Sequence, residues 1–152
     1  MLSEKEFQDI IKLTPLVAID LLISYKSKIL LGRRLNQPAK GYYFIPGGRI
    51  FKGEKLEKAC LRLTQNEIGF EIPLNKFIFY KNTQHIYPNN FFNEDFSTHY
   101  ICLCYKYNLS DDEFKNINID QQHDNVLWLS KDEILKNDLV HLNTKKYFIN
   151  ND

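Results

Sequence analysis

Apolar residues recur along this chain in two alternating rhythms, one of helical period and one of strand length. Phe7, Ile10 and Ile11 give residues from Ser3 to Lys12 a single apolar face, and Ser3 with Glu6 forms a capping box at its start. Pro15 ends that helix. Leu16 to Ser24 is a continuous apolar run broken only by Asp20 and reads as a strand. A polar turn, Tyr25 to Lys28, leads to a second strand opening at Ile29 to Leu31. Asn36 to Gly41 is a loop containing Pro38, and Tyr42 to Ile45 is a short strand running into Gly47-Gly48. A short loop follows this glycine pair. Leu56, Ala59, Cys60 and Leu63 then mark one buried helix face, with Gly69 as its stop. Phe77 to Lys81 and Thr98 to Tyr107 read as strands. Gln84 to Ser97, polar and aromatic, reads as a loop too long for a simple hairpin. Asp120 to Asn125 is a polar connection before a strand at Val126 to Leu129. Ser130 and Glu133 cap a further short helix, and Asn143 to Ile149 forms a last one. Strands alternating with a few helices, without repeats or a composition break, predict one α/β domain spanning residues 1–152 around a mixed sheet.

Composition narrows the picture modestly. With 43% apolar and 26% charged residues and a net charge of +1, the chain has the balance of a soluble globular domain. It offers no global field for nucleic acid or a membrane surface. No apolar run approaches the ~20 residues of a membrane span, and Glu4 and Glu6 precede any apolar segment, unlike a secretory signal. Cys60, Cys102 and Cys104 are odd in number, lie in apolar patterns and lack metal-ligand spacing. Buried free thiols in a reducing cytoplasm are expected.

Certain residues depart from their surroundings. Glu67 falls on the axis of its helix's apolar stripe and in the last turn, where the helix dipole disfavours an anion. It is either solvated at a frayed end or paired with a cation. Asp20 is the single charge in LVAIDLLI, so it needs a donor partner or a pocket to line. Arg33, Arg34 and Arg49 flank the loop before the glycine pair. They are either solvated or a clamp for a diphosphate, which the guanidinium fork suits. Of the four histidines, His85 lies near Tyr87 in QHIYPNNF. His123 lies beside Gln122 in QQHDN, where an imidazole can take a proton near neutrality and an amide oxygen can meet a hard cation.

The order Gly48, Glu54, Arg62, Glu67, Gly69 is similar to the Nudix box, with Leu63 and Asn66 where glutamates usually stand. The variant RLT-x-x-E-x-G resembles that of the GDP-mannose mannosyl hydrolases. So, in order through nearly the whole chain, do TPLVAIDLLI, RRLNQPAKGYYFIPGGRI, QHIYPNNF, EDFSTHY, QQHDN and VHLNTKKYF.

This resemblance implies a Nudix fold, an α/β/α sandwich with a mixed β-sheet. It implies hydrolysis of GDP-mannose or GDP-glucose to GDP and free sugar, by water attack at the anomeric carbon with inversion. One Mg2+, or Mn2+ in its place, would be held by the Gly47 carbonyl, Glu67 and Gln122, with His123 as general base. Arg34 and Arg49 would neutralise the leaving diphosphate, and Tyr100 would hydrogen-bond to it. Asp20, His85 and Tyr87 would surround the sugar and its phosphates. The family is homodimeric, with N-terminal residues near the nucleotide. Two other readings stand beside it: an ordinary Nudix pyrophosphohydrolase cutting between phosphates, and a non-catalytic Nudix-like ligand sensor. Loss of the box glutamates speaks against the first, and retention of Glu67, Gln122 and His123 against the second.

Overall fold

The computed structural model describes residues 1–117 and 125–149. Helix α1 (Glu4–Leu13) begins with the capping box anticipated at Ser3 and Glu6. Strand β1 (Leu16–Tyr25) follows, then β2 (Lys28–Arg33), β3 (Tyr43–Phe44) and β4 (Gly47–Arg49). Helix α2 (Leu56–Ile68) ends at Gly69, whose φ of 89° is the left-handed cap that a glycine adopts without strain. Strands β5 (Ile78–Tyr87) and β6 (Thr98–Asn108) form the long antiparallel pair. Helix α3 (Asp111–Asn116), strand β7 (Val126–Leu129), helix α4 (Lys131–Lys136) and helix α5 (Leu142–Lys145), with a 3-10 turn at Lys146–Phe148, complete the described chain.

The strands make one seven-stranded mixed sheet, ordered β3-β2-β1-β6-β5, with β7 added to β2 and β4 to β1. Parallel pairing of β1 with β6 sits at its centre. Side chains alternate across a strand, and here the alternation divides the molecule. Ile19, Leu21 and Ile23 of β1 pack with Ala59, Cys60, Leu63 and Ile68 of α2. Leu22 of β1 and Cys104 of β6 pack on the opposite face with Ile134 of α4, Val140, Tyr147 and Phe148. Helices therefore cover both faces, the α/β/α arrangement expected. Leu63 is 4% exposed, and truncating such a side chain to alanine costs about 2–5 kcal/mol.

The glycine pair is itself in a strand: Gly47–Arg49 pairs with β1 at Asp20, Ile19 and Ala18. Two local expectations need correction. The supposed loop from Gln84 begins only after Tyr87, because QHIY continues β5 with His85 and Tyr87 turned inward and Gln84 and Ile86 outward. Helix α3 was not anticipated, although Ser110 and Glu113 form its capping box. All three cysteines are buried and free, as expected.

The route of β1 creates the cavity. Its end at Ser24 and Tyr25 pairs with β2, whereas Ala18 to Asp20 pair with β4. The sheet forks between these partners, and residues of β2, β3 and β4 line the opening that results.

Candidate active site

A cavity of about 200 Å³ occupies the fork, lined among others by Asp20, Arg34, Gly47, Arg49, Glu67 and Tyr100. His85, Tyr87 and Cys102 reach it from the central sheet. Sheet alternation accounts for this convergence. Asp20 on β1, Tyr100 and Cys102 on β6, and His85 and Tyr87 on β5 share one face, and the register sets His85 opposite Tyr100. Every site residue expected from the sequence that lies within the described chain therefore lines one cavity. Gln122 and His123 lie outside the described residues.

Glycine is required on the opposite wall. A Cβ on Gly47 would collide with the Ile19 carbonyl oxygen, and one on Gly48 would come within 2.5 Å of Leu63 Cδ2. Arg62 of α2 ties their strand, β4, and the loop after it to that helix. Arg62 Nε and Nη2 each donate to the Glu54 carboxylate at 2.9 Å, and Nη2 also donates to the Arg49 carbonyl at 2.8 Å. That pairing, led by the Arg62 hydrogen bond, holds the Glu54 carboxyl below its ordinary range.

Arg49 itself is not spent on a carboxylate among the described residues. Its guanidinium lies 4.9 Å from the Phe7 ring centre and 4.8 Å from that of Phe51, between two aromatic faces. Arg34 is braced likewise over Phe44 at 5.1 Å and Tyr87 at 5.8 Å. Both arginines, held against aromatic faces and without an ion-pair partner among the described residues, bring positive charge to one opening, the arrangement that suits a diphosphate. Arg33 differs: it is exposed, and its Nε donates to the Gly41 carbonyl.

Glu67 is half-buried at the cavity and has no hydrogen-bond or ion-pair partner among the described residues. Burial alone pushes its pKa up to about 7. Of the two alternatives left open by the sequence, fraying is excluded, since α2 continues through Ile68, and no protein cation among the described residues meets the carboxylate. An unpartnered hard oxygen donor beside the Gly47 backbone fits a cation of the Mg2+ kind.

Asp20 has both a partner and a pocket. Tyr147 Oη donates to its Oδ2 at 2.5 Å. Burial raises the carboxyl pKa to about 6, against hydrogen bonds from Tyr147 and Cys102 and the charge of Arg34. Burial likewise lowers His85 to about 4, with the charges of Lys146, His141 and Arg34 acting in the same direction. Its Nδ1 lies 3.6 Å from Cys102 Sγ, and its Nε2 is buried with no partner among the described residues. Tyr100 is raised by burial, and Tyr87 is raised to about 12 for the same reason. Tyr147 and Cys102 had not been singled out. Alternation in THYICLC places Tyr100, Cys102 and Cys104 on one face, but only the three-strand register shows what that face meets.

A second cavity, of about 350 Å³, shares Arg34 and Tyr100 with the first and extends under α1, where Phe7, Ile11, Leu35, Pro38 and Phe91 line it. Phe7 packs edge-on against Phe92 at 5.8 Å and tilted against Phe91 at 6.4 Å, joining α1 to the segment after β5.

An α/β/α sandwich whose forked sheet presents two arginines and a box-helix carboxylate without a partner among the described residues is suited to phosphorylated ligands. The chain belongs to the Nudix family: the NUDIX domain model matches residues 14–150. It is 33% identical over 122 residues to the low-salt glycan biosynthesis protein Agl8 of Haloferax volcanii, covering 80% of this chain and 75% of that protein. A shorter match, 44% identical over 57 residues, is to the ADP-ribose pyrophosphatase of Methanocaldococcus jannaschii, covering 38% of this chain and 34% of that one. The fold is similar to that of a MutT NUDIX hydrolase from Burkholderia pseudomallei, with TM-score 0.67 and 23% identity over 89% of this chain and 96% of that one.

Proposed function

We propose that this Nudix hydrolase cleaves a GDP-sugar, GDP-mannose or GDP-glucose, to GDP and the free sugar by water attack at the anomeric carbon with inversion. The observation that carries the reading is the pairing of Arg34 and Arg49 at a cavity into which α2 sends one carboxylate, Glu67. The other two box positions offer none: Leu63 is packed in the core and Asn66 is exposed. Two fixed cations favour departure of a diphosphate, and a box helix stripped of further carboxylates has little with which to activate water at phosphorus. His123, in the polar QQHDN segment, is the general base that takes the proton of the attacking water.

Glu67, the Gly47 carbonyl and Gln122 would hold one Mg2+, with Mn2+ as an alternative, which when bound supplies charge stabilisation to the diphosphate. Arg34 and Arg49 bind and orient the phosphates, and Tyr100 donates a hydrogen bond between the two cavities. Asp20, His85 and Tyr87 face the sugar. The aromatic-walled cavity under α1 takes the nucleoside. The reading includes a homodimer, for which Ile78, Phe79 and Ile86 on edge strand β5 offer exposed apolar surface. Three free buried thiols suit the cytoplasm. Similarity to a glycan biosynthesis protein over most of both chains favours a sugar-bearing substrate.

Hydrolysis of GDP-mannose with Mg2+ in ¹⁸O-labelled water tests this. Label in free mannose, with GDP as the other product, is expected. Label in a phosphate, or GMP with mannose 1-phosphate, would establish the pyrophosphohydrolase reading, which the shorter match to an ADP-ribose pyrophosphatase favours.

A further inference from the structure

The floor of the cavity carries a donor set of its own. Asp20, His85 and Cys102 place a carboxylate oxygen, a ring nitrogen and a sulfur within 4.8 Å of one another, and all three line the cavity. His85 and Cys102 are 5% and 2% exposed. They come from three neighbouring strands, β1, β5 and β6, so the backbone ladder holds their spacing without a loop.

We propose that Asp20, His85 and Cys102 form a second metal site, for a borderline-soft divalent ion of the Zn2+ kind, separate from the hard-cation position at Glu67.

Distance supports it. Zn–S and Zn–N bonds of about 2.3 and 2.0–2.1 Å, set at a tetrahedral angle, separate the two donor atoms by roughly 3.6 Å. Cys102 Sγ and His85 Nδ1 stand 3.6 Å apart. The carboxylate oxygen lies within 4.8 Å of the other two donors, so a shift of roughly 1.5 Å or less completes three ligands at tetrahedral spacing. Its orientation is already fixed, because Tyr147 Oη donates to Oδ2 at 2.5 Å. Tyr147 in turn is 2% exposed, and its carbonyl accepts from Tyr80 Oη at 2.7 Å. All three side chains line the cavity, so a fourth, exchangeable ligand would reach the ion from there, as in three-ligand zinc sites.

Donor chemistry supports it as well. Thiolate and imidazole select zinc-like ions over Mg2+, which prefers oxygen. Burial shifts the His85 ring toward its neutral, ligating form but pushes the Cys102 thiol up, so a metal has to displace the thiol proton. Loading breaks the Cys102 S–H bond, forms the metal–sulfur bond and releases the proton to solvent. An ion there occupies the sugar end of the cavity and so inhibits turnover. That consequence rests on the hydrolase reading, whereas the binding itself does not.

Co2+ titration of the chelator-treated full chain, kept reduced with a phosphine, reads the site without any activity measurement. One equivalent is expected to produce a thiolate-to-cobalt charge-transfer band with tetrahedral ligand-field absorption, abolished by Zn2+ and unaffected by excess Mg2+. Cys102→Ser and His85→Gln should each remove the band, while Cys60→Ser, Cys104→Ser and Glu67→Gln should retain it. Tyr147→Phe, which removes only the group that orients Asp20, should weaken Zn2+ binding ~10–100-fold. A wild-type protein without the charge-transfer band, a band that survives Cys102→Ser, or a band lost with Mg2+ or in Glu67→Gln would each overturn the assignment. His85→Gln and the wild-type spectrum decide the matter should Cys102→Ser not fold.

Discussion

Replacing Glu67 with glutamine measures how strongly this carboxylate waits for a cation. Burial moves its pKa from 4.5 to about 7. That displacement corresponds to about 3.4 kcal/mol at ~1.36 kcal/mol per pKa unit. The side chain's partial exposure reduces this to roughly 2 kcal/mol by solvent screening. The sign follows from proton uptake: the unfolded chain loses this proton near 4.5, while the folded chain keeps it to about 7. Stability of the wild type therefore falls as pH rises through that window, and the full cost is present above it. Glutamine has the same shape and no charge to desolvate. In chelator, Glu67→Gln should match the wild type near about pH 4.5 and exceed it by roughly 2 kcal/mol at about pH 8. Mg2+ should reverse the order at the higher pH. A ligand at 100 times its Kd stabilises the wild type by about 2.7 kcal/mol, and the variant should gain much less. Urea unfolding followed by the fluorescence of Trp128, the single tryptophan, in β7, reads both quantities. A pH-independent difference, or a variant less stable than wild type at about pH 8 without metal, would refute the reasoning by showing that Glu67 already has a partner in the protein.

Further expectations concern the surrounding framework and the base. Gly47→Ala should lose about 1–3 kcal/mol in urea unfolding, because its methyl meets the Ile19 carbonyl oxygen and the Asp20 backbone and carboxylate. Arg62→Ala, which strips two hydrogen bonds from Glu54 and one from the Arg49 carbonyl, should lower kcat/KM and the melting temperature together; a change in only one would separate β4 positioning from stability. Tyr147→Phe should move the Asp20 carboxyl further upward from about 6, since the lost hydrogen bond favours the ionised form, and carboxyl-carbon NMR titration follows it directly. His123→Asn should lower turnover by ~10²–10⁴-fold and abolish the acidic limb of the pH profile, which in the wild type falls as the ring protonates; an unchanged limb would assign the base to another group.

Much of this arrangement was legible because single residues broke local patterns. Asp20 interrupted an apolar run, Glu67 an apolar stripe, and the structure puts both on one cavity. Gly69 and the capping box at Ser3 fixed helix ends through backbone chemistry that depends on nearby residues alone. What escaped depended on contacts across the chain. Tyr147, which donates to Asp20, lies 127 residues away, and no local pattern links them. Cys102 looked like an ordinary core thiol until the β5–β6 register brought His85 beside it. The extension of β5 to Tyr87 was missed for another reason: polar Gln84 and exposed Ile86 on the outer face of an edge strand look like loop when burial is unknown.

The fork at β1 makes the chain unusually intolerant of a change in length there. Odd positions of this strand build the core under α2, and even positions Ala18 and Asp20 line the cavity. One residue inserted or deleted before Ala18 would exchange the two sets, sending the carboxylate into the hydrocarbon side and an isoleucine into the cavity. It would also break the β4 ladder on one edge and the parallel β6 ladder on the other. Substitutions at the even positions can retune the pocket one side chain at a time, whereas frame along this strand is fixed by every partner it has.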